Sequence, residues 1–241
     1  MKLIDLMCEL NRTKLFSWNV RKYHNNFEII IIYDSHLINA YKNQLLSLEV
    51  LQLNNFYLEI PNIKRKEDII DYINELELYN SEINGIELLA KILDGYSFEE
   101  TLENCLKRSN KEYAIKNGKN QVNTYLLIRK SDNKIVGAIN IRLNYGSDIN
   151  KFNGNIGYGI RPTERRKGYN KINLYLGLLE AEKLGLEKVT LACESTNIAS
   201  IKTIESLGGI LISSEIDPSD GILTNIYIIN VKETINKYKN I

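Results

Sequence analysis

The segment GNIGYGIRPTERRKGYNKINLYLGLLEAEKLG, residues 154–185, constrains the fold more than any other part of the chain. Its first residues, 155–160, read as a strand that ends at Arg161-Pro162, because Pro162 disfavours a helix at Arg161 and removes a strand donor. Across residues 161–170 four basic residues stand against one acid, Glu164. Beyond Gly168 the apolar Ile172, Leu176 and Leu179 recur at helical spacing, and Gly185 marks a C-terminal stop. A glycine lets backbone approach a ligand closely, and the first helical turn offers unpaired N–H groups at the positive end of the dipole. Those features suit a pyrophosphate, with Arg165, Arg166 and Lys167 adding charge. They equally suit an ordinary basic turn between strand and helix. Neither G-x-x-x-x-G-K-[ST] nor G-x-G-x-x-G is present, since Pro162 stands where the third glycine after Gly157 and Gly159 belongs.

The rest of the chain gives that segment its setting. Residues 28–33, EIIIIY, form a β-branched burst, followed by a helix-compatible stretch near 35–53 and an extended piece, NNFYLEIPN. Residues 1–57 are therefore expected to be an N-terminal extension or small α/β appendage, and 58–241 the main domain. From 65 to about 117 the pattern is helical, divided at Gly85 and at the DGYS turn of 94–97. Residues 67–112 hold 12 acids and 4 bases, net −8, which reads as a solvated face or as a wall attracting a cation. Strands follow at 124–129 and 134–144, joined by SDN, then the segment above, a strand at 187–193, a short helix near 198–207 and a final strand pair. This order predicts an α+β fold of mixed α/β layers rather than a barrel or a doubly wound dinucleotide fold.

With 31 basic and 30 acidic residues, the net charge of +1 gives no global case for a nucleic-acid or membrane-surface partner. The longest strongly apolar run is far too short to cross a bilayer. Three cysteines, at 8, 105 and 193, are odd in number and far apart, which points to a reducing, cytoplasmic setting. The two histidines, at 24 and 36, have no closely spaced ligand pattern around them, so no metal is expected.

Arg165-Arg166-Lys167-Gly168-Tyr169-Asn170 resembles the Q/R-x-x-G-x-G/A signature of the GCN5-related N-acetyltransferase superfamily. IGYGIRP before it resembles the strand that runs beside the pantetheine arm in that family. Asn197-Ile198-Ala199-Ser200, followed by Glu205-Ser206-Leu207-Gly208-Gly209, is similar to its second cofactor-contacting segment. The resemblance covers about 58–241 and is strongest at 154–209. It implies a central mixed sheet flanked by helices and acetyl-coenzyme A as co-substrate. It also implies a cofactor site built from Ile160, Arg161, Arg165, Arg166, Lys167, Gly168, Tyr169, Asn170, Asn197 and Ser200.

Three positions depart from the family pattern. The tyrosine that many relatives carry in the short helix falls on Ile204, and the Glu or His before the fourth strand falls on Asn155. Neither residue transfers a proton at neutral pH. Asn170 likewise replaces the usual Gly or Ala. The nearby substitutes are Glu194 as proton acceptor and Tyr158 as donor on the thiolate side. Cys193 reads better as a small buried residue than as a nucleophile, because the adjacent carboxylate disfavours its thiolate. The expectation is direct acetyl transfer to an amine acceptor: a small cationic molecule first, a protein amine second, with a homodimer admitted. The alternative is a catalytically impaired coenzyme A-binding regulatory domain.

Overall fold

The computed structural model describes residues 16–23, 26–33, 53–143 and 151–239. The chain divides into two compact units, one within residues 1–51 and one of residues 52–240. In the first, β1 (Phe16–Tyr23) and β2 (Asn26–Tyr33) pair antiparallel, from Phe16 opposite Tyr33 to Tyr23 opposite Asn26. β2 contains the EIIIIY burst. β1 was not foreseen, since FSWNVRKY lacks a sustained apolar run. The helix expected near 35–53 lies outside the described residues except for its last position.

The second unit holds two sheets. β3 (Phe56–Glu59), β4 (Gln121–Arg129), β5 (Lys134–Leu143) and β6 (Ile156–Ile160) form one, in that order. β7 (Lys188–Glu194), β9 (Leu223–Asn230) and β8 (Ile210–Ile216) form the other. Every described ladder is antiparallel, so the mixed sheet expected from the sequence resolves into two antiparallel sheets.

Alternation in the strands sets the two faces. Leu126, Ile128, Ile135 and Ala138 bury against Ile69, Tyr72 and Ile73 of helix α1 (Lys66–Leu78) and Phe98, Leu102 and Cys105 of α2 (Phe98–Ser109). Ser97 starts α2 with a reciprocal capping box to Glu100. A short α3 (Lys111–Lys116) leads into β4. On the opposite face Ile139 and Ile141 pack on Leu174 and Leu178 of α4 (Tyr169–Lys183). That core continues through Val189 and Leu191 of β7, Ile204 of α5 (Ile198–Ser206) and Ile235 of α6 (Val231–Lys239). Helix α6 was missed in the sequence, where the pattern read as ending on a strand pair. The expected 168–184 and 198–207 helices correspond to α4 and α5.

Candidate active site

The register of β6 determines which of its backbone groups are free. Arg142 N donates to Asn155 O at 2.7 Å, and Arg161 N to Val136 O at 2.9 Å. Both bonds fall on the ladder that sets Gly157 opposite Asn140 and Gly159 opposite Ala138. In an antiparallel pair alternate residues bond across the same ladder, so Ile156, Tyr158 and Ile160 turn their N–H and C=O groups to the other edge. There β7 does not continue the sheet. The two strands meet at Asn155, whose N–H donates to Thr190 O at 2.7 Å.

Asn155 fixes that junction with its side chain as well. Its Oδ1 accepts from Thr190 N at 2.8 Å and from Thr190 Oγ1 at 2.9 Å, while its Nδ2 donates to Arg142 O at 3.2 Å. Before it, Gly154 has φ +60°, and a Cβ there would lie 2.5 Å from Thr190 O. A glycine is needed at this approach of two backbones. Asn155 thus holds the strands together at their start and lets them part beyond it.

The turn after β6 is anchored by opposite charges. Arg161 is buried, and its Nη1 donates to Asp71 at 2.7 Å and Glu75 at 2.8 Å while Nε donates to Ile135 O at 2.9 Å. Glu164 is buried too, accepting from Arg129 Nη1 at 2.7 Å and Nη2 at 3.2 Å, and from Lys167 at 2.8 Å. The Arg129 guanidinium, with help from Lys167, holds the Glu164 carboxyl at about 2. Arg165 donates through Nε to Ile160 O at 3.1 Å and through Nη2 to Ser81 Oγ. Arg166 and Gly168 take left-handed backbones, at φ 62° and 78°. Gly168 opens α4 without a side-chain cap, which leaves N–H groups of the first turn available to an anion.

A cleft of about 660 Å³ lies along this edge. Tyr158, Ile160, Arg165, Arg166 and Gly168 line it, with Tyr169 and Asn170 from the start of α4 and Asn197 and Ser200 from the start of α5. Asn197 caps α5 by accepting from Ser200 N at 3.0 Å. The Asn170 Oδ1 is buried there without a hydrogen-bond partner. The structure therefore brings together nine of the twelve residues singled out in the sequence.

Three do not line the cleft. The Arg161 side chain is engaged with Asp71 and Glu75 beneath α1, and Lys167 pairs with Glu164. Glu194 ends β7 opposite Thr224, accepting from Thr196 Oγ1 at 3.4 Å. Burial raises the Tyr158 hydroxyl pKa, with Ser200 opposing and Cys193 adding to the effect, so the phenol stays protonated at neutral pH. Burial, then Glu194 and Glu205, push the Cys193 thiol up to about 11, in keeping with its reading as a packing residue. Ile204 is fully buried in the core.

Sequence reasoning missed the contribution of the α1–α2 connection. Tyr79, Asn80, Ser81, Glu82 and Asn84 line the cleft, and Gly85 sits so close to β5 that a Cβ would lie 2.7 Å from Ala138 O. It also missed Glu87, which receives Arg142 Nη2 at 3.0 Å and the Asn140 side chain. Adjacent strand readings at 134–144 and 154–162 carried the signal for Asn140, which the hairpin register sets beside Gly157. Nothing distinguished Glu87 among twelve acids. The net −8 stretch is also less open than its composition implies: Asp68, Asp71, Glu75, Glu87, Asp94, Glu99 and Glu103 are ion-paired, seven of the twelve.

Among the described residues no group of three His, Cys, Asp or Glu is placed to hold a metal. No described helix is long and apolar enough to cross a membrane. The model of the acetyltransferase (GNAT) family matches residues 89–208. Among solved structures, the chain is similar to a spermidine N-acetyltransferase SpeG chimera from Vibrio cholerae and hSSAT, at 14% identity over 76% of this chain and 99% of that one, TM-score 0.53. It is also similar to the microcin C7 self-immunity acetyltransferase MccE in complex with acetyl-CoA and AMP, at 18% identity over 72% and 91%, TM-score 0.52. A third is the ribosomal L7/L12 α-N-protein acetyltransferase RimL in complex with coenzyme A, at 14% identity over 73% and 96%, TM-score 0.52. No curated protein matches the sequence.

Proposed function

Because the chain belongs to the acetyltransferase (GNAT) family, we propose that it transfers the acetyl group of acetyl-CoA directly to an amine, and that the acceptor is a small cationic molecule. The observation that carries this reading is the open edge of β6 above a basic turn and an uncapped helix start. Arg165, Arg166 and the first N–H groups of α4 hold the pyrophosphate. The free N–H groups of β6 receive the pantetheine amides and the carbonyl oxygen as it gains negative charge. The amine lone pair attacks the acetyl carbon, the C–S bond breaks, and coenzyme A leaves as its thiolate. The proton that the amine releases reaches solvent or a carboxylate, and the protonated Tyr158 hydroxyl hydrogen-bonds to the departing sulfur. Positioning and oxyanion stabilisation supply most of the rate in this arrangement.

Calorimetry with acetyl-CoA and a thiol-release screen over cationic and neutral amines at two salt concentrations test the proposal. Micromolar cofactor affinity with release for at least one cationic amine is expected. A preference for neutral amines that ignores salt rejects the cationic acceptor while leaving transfer intact. A second reading, a coenzyme A-binding regulatory domain without turnover, is favoured by the structural use of Asn155 and Ile204. Cofactor binding without thiol release for any amine selects it.

A further inference from the structure

Residues 155, 157 and 159 face the side of β6 that α1 and its following loop cover, and on that side the strand carries only glycine at 157 and 159. A Cβ on Gly157 would meet Arg142 Nη2 at 2.7 Å, Asn140 Oδ1 at 3.1 Å and Glu87 Oε1 at 3.2 Å, so these three groups converge there. Their hydrogen bonds are unequal. Arg142 donates to Glu87 Oε1 at 3.0 Å and to Asn153 O at 2.9 Å. Asn140 is 2% exposed and donates its Nδ2 to Glu87 Oε2, which fixes the amide, because a flip would set two oxygens against each other. Its Oδ1 is then left buried with no partner. An unpaired buried acceptor is costly and calls for a donor. The neighbouring Glu87 carboxylate, with its side chain 37% exposed, is a second acceptor open to solvent on one side.

From this geometry we infer that Glu87 and Asn140 form the subsite that seats the acceptor nitrogen, and that it selects an unhindered primary amine. The inference rests on the acetyl-transfer reading above. The two oxygens that face Gly157 favour a group that brings N–H donors over a carboxylate or phosphate, which brings only acceptors. A primary amine supplies an N–H to each oxygen and keeps its lone pair for attack, whereas an N-alkylated amine loses one of the two bonds. Arg142 and the Asn140 amide hold the Glu87 carboxylate in place before substrate arrives, which lowers the ordering cost of binding. The position is on the same face of β6 to which residue 155 belongs, so Glu87 supplies from the α1–α2 loop a carboxylate that Asn155 does not. It takes the place given to Glu194 in the sequence.

The test is steady-state thiol release with spermidine, L-lysinamide and an alanine-initiated tripeptide amide, comparing wild type with Glu87→Gln, Asn140→Leu and Glu194→Gln. Glu87→Gln is expected to raise the acceptor KM roughly tenfold or more and leave the acetyl-CoA KM within about twofold. Asn140→Leu removes the buried unpaired oxygen together with the donor to Glu87, two opposing effects, so its melting temperature should change little while its acceptor KM climbs. A purely structural Asn140 gives no such split. An unchanged acceptor KM in folded Glu87→Gln, or a rise in Glu194→Gln instead, overturns the assignment. If Glu87→Gln does not fold, an unchanged acceptor KM in Asn140→Leu overturns it alone. Turnover by wild type combined with either of those results removes this inference and keeps the acetyl-transfer reading. Absence of thiol release from wild type across the whole screen of cationic and neutral amines removes both.

Discussion

The two ends of β6 differ in what they retain. At its far end the turn of 161–170 keeps the elements of an anion grip: left-handed Arg166 and Gly168, an uncapped helix start and two arginines on the cleft. At its near end, Asn155 is engaged on both sides by Thr190 and Arg142, and Ile204 of α5 is fully buried in the core. On the proposed reading one end receives the cofactor, and the other holds strands together. Under that reading, cofactor grip and proton transfer are separable within one strand. A chain can replace the second with packing while preserving the first, provided that another carboxylate reaches the acceptor.

The largest effect belongs to the packed end. Ile204→Ala is expected to cost about 3 to 4 kcal/mol in denaturant unfolding, since it opens a cavity in a core with no exposure at that residue. Ile204→Tyr should also lower stability and add no turnover, because a phenol there overpacks against Gly209. A gain in kcat with an unchanged melt breaks the comparison.

Next comes the anchor of the turn. Glu164 has its carboxyl at about 2 rather than its ordinary 4.5, held there chiefly by Arg129. A depressed acid contributes stability above its ordinary pKa and loses it as pH falls through the folded value. Glu164→Gln should therefore cost about 2 to 3 kcal/mol at pH 7 and little near pH 2. A constant difference across that range, measured by urea unfolding, would remove the ion pair as the cause.

Asn155→Leu leaves the Thr190 N–H and hydroxyl without their acceptor, for about 2 kcal/mol. Asn155→Glu sharpens the contrast: it should lower the melt without raising kcat, because a carboxylate there loses the Nδ2 donor to Arg142 O. The smallest effect lies at the gripping end. Replacing Arg165 and Arg166 together by alanine should weaken acetyl-CoA about tenfold in calorimetry, less at high salt. Gly168→Val should weaken it as well. The cause there is the left-handed φ of 78° rather than crowding, since the space around an added Cβ is open.

Much of the fold was readable as local pattern. EIIIIY, the helical spacing after Gly168 and the Pro162 stop each act through neighbours in sequence, and each corresponds to a described element. The same holds for the cleft residues Arg165, Arg166, Gly168 and Asn170, which follow one another in a single turn. Tertiary structure decided whatever depends on partners far along the chain. Arg161 belongs to the same basic run as Arg165, yet Asp71 and Glu75, some ninety residues away, draw it under α1. Asn155 looked like an absent base until Thr190 came within hydrogen-bond reach. Glu87 was one acid among twelve until the β5–β6 register set Asn140 and Arg142 beside Gly157. Local spacing fixes which way a residue faces along its own element. Only the packing of distant elements determines which charge meets it, and the chemistry of a carboxylate or guanidinium depends on that meeting.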